Sequence, residues 1–228
     1  MHAATALCVA LLVWTVRGIE PIRAGSEFAD EIERLSEPQG YFDTDNLVSN
    51  ERSYLSVVPE LVARGIAGGV YIGVGPDQNF SYIARVRPST AYIVDIRHDN
   101  LLLHLLFKAL FETATTRVEY LSLLTGRAPP DDLTRWPAAS IREIVDHVDA
   151  QRPSPAGIDP LRRQLVATVA AFGVPLTADD YAAIDRFHRE FVRHGLDIRF
   201  ETFGRVAPSY YPKYRELLLA TDADDHAW

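Results

Sequence analysis

Apolar residues gather into two short β-rich runs near the middle of the chain and into helix-spaced stripes on either side. Val70, Tyr71, Ile72 and Val74 form one run, and Ala91 to Ile96 the other. Both read as buried strands, the first broken by Gly73, Gly75 and Pro76. Phe80 to Val86 between them has a short helical pattern, closed at Arg87-Pro88 because proline disfavours helix in the residue before it. Arg97 to Asn100 then opens a helical stripe expected to run to about Leu124. Its core side is Leu102, Leu105, Leu106, Ala109, Leu110 and Phe111, with His104 and Lys108 on another face. Phe28 to Leu35 is a short amphipathic stretch. Asn50 or Ser49 can cap a helix through Tyr54, Leu55, Val58 and Leu61.

Downstream, Ala128 to Gly195 is helical in pattern. Ser140 to Ala150 and Leu161 to Phe172 are two helices, separated by a linker of Pro153, Pro155, Gly157 and Pro160. Thr177-Ala-Asp-Asp180 is a capping box that opens a third, closed by Gly195. Leu196 to Phe203 alternates apolar and polar, as a half-buried strand does. A Pro/Tyr-rich loop over Val206 to Tyr214 and a short helix follow.

This order predicts an α/β fold with a Rossmann-like parallel sheet. Residues 28–126 form its nucleoside-binding core, 127–195 a helical insertion, and 196–228 a third strand and Tyr/Pro loop. Three parallel strands leave a long open edge, which natural sheets avoid. Further strands are therefore expected from sequence beyond residue 228 or from another chain. Residues 1–18 are distinct. Ala3 to Val16 is almost wholly apolar and 14 residues long, which suits an export signal or a buried segment better than a bilayer span.

The strand–turn–helix–strand unit carries the candidate chemistry. Gly73 and Gly75 let the backbone turn sharply and approach a ligand, and Asp77, Gln78 and Asn79 place polar groups at the helix start. Asp95 ends the second strand 22 positions after Gly73, with Arg97 beside it. That spacing is close to the roughly 20 expected between a glycine turn and a ribose-binding acid. The third glycine of a dinucleotide fingerprint is replaced by Gln78, which disfavours NAD and FAD. A nucleoside without pyrophosphate fits better, and S-adenosylmethionine is the common one. The other reading is an ordinary βα turn with a solvated acid at the strand end.

Gly40 to Tyr54 packs Asp43, Asp45, Asn46, Asn50 and Glu51 between aromatics. Asp43, Asp45, Asn46 and Glu51 are candidates for holding a substrate amine or hydroxyl, or for proton transfer. Turn chemistry and helix capping explain the same residues. His147, His188 and His194 lack metal-ligand spacing and read as structural, and His104 reads as a surface or half-buried side chain rather than a catalyst.

The formal net charge of −8 excludes a phosphate backbone as the expected partner. The single cysteine, Cys8, leaves no disulfide and no cysteine metal site. No apolar run reaches bilayer length. The composition is otherwise ordinary for a globular protein.

Phe42-Asp-Thr-Asp-Asn-Leu-Val-Ser-Asn-Glu-Arg-Ser-Tyr54, Gly73-Val-Gly-Pro-Asp-Gln-Asn-Phe-Ser-Tyr-Ile83 and Ile93-Val-Asp-Ile-Arg97 resemble a poorly characterised bacterial family whose fold looks like that of class I SAM-dependent methyltransferases. The resemblance implies a longer chain with further strands after the Tyr/Pro loop. It also implies methyl transfer from S-adenosylmethionine to a small acceptor. Asp95 would then hold the ribose, Gly73 to Asn79 the methionine part, and Asp43, Asp45, Asn46 and Glu51 the substrate. In-line methyl transfer needs positioning more than acid–base chemistry. S-adenosylmethionine use implies the cytoplasm; a non-catalytic nucleoside- or metabolite-binding protein, exported if the N-terminal apolar segment is a signal, is the alternative.

Overall fold

The computed structural model describes residues 9–11, 24–38, 40, 42, 46–153, 155–201 and 211–220. In chain order it contains β1 (Val9–Leu11), α1 (Ala24–Leu35), α2 (Val58–Ala63), β2 (Val70–Val74), α3 (Gln78–Val86), β3 (Thr90–Val94), α4 (His98–Thr113) and α5 (Arg117–Leu124). α6 (Ile141–Ala150), α7 (Pro155–Ala171), α8 (Ala178–His194) and α9 (Tyr214–Leu218) follow. Short 3-10 turns cover Tyr54–Val57, Trp136–Ala138 and Gly195–Asp197.

The expected Rossmann-like parallel sheet is not there. Helix takes 59% and strand 8% of the described structure. β2 and β3 are the one parallel pair among the described residues, in register from Val70↔Thr90 to Val74↔Val94. β1 joins the other edge of β3 antiparallel, giving the order β1-β3-β2. The βαβ unit read from the sequence therefore exists, but it sits within a helical domain.

Two features account for the difference. The stretch read as a third strand begins as the 3-10 turn Gly195–Asp197 and makes one isolated bridge, Arg199 to Lys213. Its alternation is real: Leu196, Ile198 and Phe200 are buried. An extended segment laid on helices produces that alternation without a ladder. Residues 202 and 203 lie outside the described structure. The second feature is α4. Leu101, Leu102, Leu103, Leu105, Leu106, Phe107, Ala109 and Leu110 are all buried, so this helix is apolar almost all round. Such a helix belongs in the middle of a protein. α5, α7 and α8 pack against it, so the helical block forms the core and does not cap a sheet.

The long helix expected to Leu124 is broken at Ala114 to Thr116. The Thr116 side chain caps α5 by accepting from the Glu119 amide, and the Glu119 carboxylate accepts from the Thr115 amide at 2.9 Å. That local capping outcompetes continuation of α4. The proline-rich linker is also different: α7 starts at Pro155 and includes Pro160. Proline at the first helical position loses no hydrogen bond. The capping box at Thr177 and Asp180 forms as expected, and Gly195 closes α8 with φ 56°.

β2 is half covered. Gly73 is buried, whereas Val70, Ile72 and Val74 on the opposite face are 62–69% exposed. Among the described residues no helix is long and apolar enough to cross a membrane.

Candidate functional site

The carboxyl ends of β2 and β3 are where a βαβ unit presents ligands. The β2–α3 turn is built on Gly75, whose φ of +82° a side chain would strain. The turn is held from inside. Asn79 Nδ2 lies 3.1, 3.2 and 2.7 Å from the carbonyl oxygens of Val74, Gly75 and Pro76. The Tyr71 hydroxyl donates to Asn79 Oδ1 at 2.8 Å, and Gln78 Nε2 donates to the Val74 carbonyl at 3.0 Å. A Cβ on Gly73 would collide with Asn79 Oδ1 and the Tyr71 ring, so the space beside this glycine is filled by the protein's own side chains.

α4 supports the turn from behind. His104 is 1% exposed, and its Nε2 lies 2.9 Å from the Gly75 carbonyl. A carbonyl only accepts, so Nε2 carries the proton. Burial lowers the imidazole pKa to about 4, which keeps the ring neutral. The sequence pattern placed His104 on an outer face. Its burial comes from the unusually wide apolar surface of α4.

Asp77 is the centre of the site. It sits at the N-cap position of α3 and is 6% exposed. Burial pushes its carboxyl up to about 6, opposed by the Tyr214 hydroxyl and its own backbone. Among the described residues no ion pair reaches it. Asp77 lines a cavity of about 10 Å³ with Ser49, Tyr54, Gln78, Ser81, Tyr214, Leu217 and Leu218, which is room for roughly one water. The phenols of Tyr54, Tyr120 and Tyr214 are all pushed above their ordinary value, mainly by burial, and the charge of Asp77 adds to each shift. α9 closes the cavity and is anchored by polar bonds. The Tyr54 hydroxyl donates to the Leu217 carbonyl at 3.3 Å, and Arg52 pairs with Glu216 at 3.1 Å.

Asp95 and Arg97 form a separate cluster at the tip of β3. Arg97 Nη2 lies 2.9 Å from Asp95 Oδ2, and both side chains are buried. The Arg97 amide and Nε donate to Asp95 Oδ1 at 2.9 and 3.1 Å. Asn100 Oδ1 accepts from Arg97 at 3.4 Å.

The fold brings Asp77 and Gln78 together with Ser49 and Tyr54 from the stretch before α2. Asn46 has φ 46°, in the left-handed region. Glu51 is exposed; its amide donates to Ser49 Oγ at 3.1 Å and its carboxylate accepts from Ser53 Oγ at 2.9 Å. Those bonds are turn chemistry. Asp43 and Asp45 lie outside the described residues. Among the described residues no three His, Cys, Asp or Glu side chains gather as a metal site would need. Tyr54, Ser81, Tyr120 and Tyr214 were not legible as site residues. A phenol inside an otherwise apolar helical stripe, as at Tyr120, is the one signal that could have marked them.

Residues 46–135 match the family described as a Domain of unknown function (DUF7790). The match spans under half of the chain. It takes in Ser49, Tyr54, Asp77, Gln78 and Ser81, but not the cover supplied by Tyr214, Leu217 and Leu218. No curated protein and no solved structure matches the chain.

As folded here, the site has no space for S-adenosylmethionine unless Arg97 and α9 move. The acid expected to hold its ribose is engaged by Arg97, the glycine turn is filled by Asn79, and the cavity beyond is far smaller than a nucleoside.

Proposed function

We propose that this chain is a binding protein for a small polar metabolite, seated at the carboxyl end of β2 between the β2–α3 turn, Ser49, Tyr54 and α9. The observation that carries this reading is the buried Asp77 carboxyl, which lines a cavity and has no ion-pair partner among the described residues. A buried carboxylate left uncompensated costs stability. Perturbed groups of this kind cluster at functional sites. Binding is the reading that needs no group beyond those lining the cavity.

Methyl transfer from S-adenosylmethionine is the second reading. It is favoured by the βαβ unit with a glycine turn on one strand and Asp95 on the next. It requires Arg97 to release Asp95 and α9 to move.

Amide-shift mapping with a panel of small polar metabolites, alongside S-adenosylmethionine and S-adenosylhomocysteine, tests both. The binding reading predicts saturable shifts at Ser49, Gln78, Ser81 and Leu217. Shifts centred on Asp95 and Arg97, produced by the two sulfur nucleosides alone, would favour methyl transfer.

A further inference from the structure

The polar atoms around Asp77 are mostly oxygens with lone pairs to offer. Gln78 Oε1 is buried and has no hydrogen-bond partner among the described residues, while the Nε2 of the same side chain is used on the Val74 carbonyl. The Asp77 carboxyl faces the hydroxyl of Tyr214, and the hydroxyl-bearing Ser49, Tyr54 and Ser81 line the same cavity. An anion would meet the Asp77 carboxylate at close range. A neutral carbonyl could take a hydroxyl donor here but would leave the Asp77 charge without a counter-ion. The space is about one water in size, which is also the size of an ammonium head.

We propose that the group recognised at Asp77 is the ammonium head of an alkylamine, with Asp77 as its counter-charge and Gln78 Oε1 as a second acceptor. This rests on the binding reading above and names its ligand class. An –NH3+ group has three donors and no acceptor, which complements this lining. Charge-assisted hydrogen bonds to a buried carboxylate are the stronger kind. The cavity holds the head alone, so the alkyl stem would leave past Leu217 and Leu218 with a shift of α9.

The test uses the full chain at pH 7.5 and follows the Gln78, Ser81 and Leu217 amides by NMR. The probes are methylammonium and ethylammonium chloride, the neutral isosteres methanol and ethanol, and potassium chloride. Saturable shifts are expected from the alkylammonium ions, with the alcohols at least tenfold weaker. Asp77→Asn should weaken the alkylammonium response at least tenfold, with its spectrum otherwise that of a folded chain. Gln78→Met, which keeps the side-chain length, should weaken it by about threefold or more. Alcohols acting as strongly as the amines would overturn the ammonium assignment and leave the cavity as a ligand site. Potassium acting as strongly would replace the amine with an inorganic cation. No saturable response from any probe, with the metabolite panel also silent, would remove the binding reading itself.

Discussion

Arg97 reaches back two residues and holds Asp95 through its amide, its Nε and its Nη2, with both side chains buried. Both charges are buried, and Arg97 also reaches Asn100. Removing one partner leaves the other charge without compensation, which costs about 3–5 kcal/mol. Arg97→Ala is expected to lose stability in that range by urea unfolding. Asp95→Asn combined with Arg97→Met should lose clearly less than Arg97→Ala alone. Equal losses would show that the pair is not a coupled unit.

Gly73 has no room for a methyl group. A Cβ there displaces Asn79, whose amide closes the turn. Gly73→Ala should destabilise by about 1–3 kcal/mol, the usual cost of overpacking. Adding Asn79→Ala should cost much less in the Gly73→Ala background than in the wild type. Additive losses in a double-mutant cycle would separate the two residues.

His104 fills a packed site and touches Phe80 and Phe107 edge-on, each with ring centroids 5.7 Å away. His104→Ala removes that packing and the bond to Gly75. A loss of about 2–4 kcal/mol is expected, from a cavity together with an unpaired carbonyl. His104→Gln should recover part of it, because its amide can still donate.

Asp77 and His104 make opposite demands on pH. The His104 pKa is depressed to about 4, so the unfolded chain binds the extra proton and stability falls as pH drops from about 6.5 to 4. The Asp77 pKa is raised to about 6, so the folded chain binds the extra proton between about 3.8 and 6. Its penalty is full above pH 6 and gone below about 3.8. The two terms partly offset each other in the wild type. Asp77→Asn should therefore be more stable than wild type at pH 7.5, by about 1–3 kcal/mol. That gain should vanish near pH 4, leaving a steeper acid loss than in the wild type. Urea unfolding from pH 4 to 8 checks both features.

The βαβ unit was legible because glycine, proline and β-branched runs act locally. The cap at Thr177 was legible for the same reason. The break between α4 and α5 was not, because Thr115 and Thr116 resemble ordinary helix residues until Glu119 bonds back to them. The wider fold was not, because Leu196, Ile198 and Phe200 alternate equally well against helices and in a ladder. Asp95 was legible as a strand-end acid, but its use by Arg97 depends on side-chain geometry that spacing alone does not show. Tyr120 and Tyr214 approach Asp77 from opposite parts of the chain, and no local motif announces that meeting.

The most direct measurement is a carbon-13 titration of the Asp77 side-chain carboxyl in the full chain, assigned by comparison with Asp77→Asn. A midpoint near 6 is predicted, moving down when an alkylammonium ion is present. A midpoint near the ordinary value of about 3.9, unmoved by amines, would contradict a buried and uncompensated acid at the centre of this site.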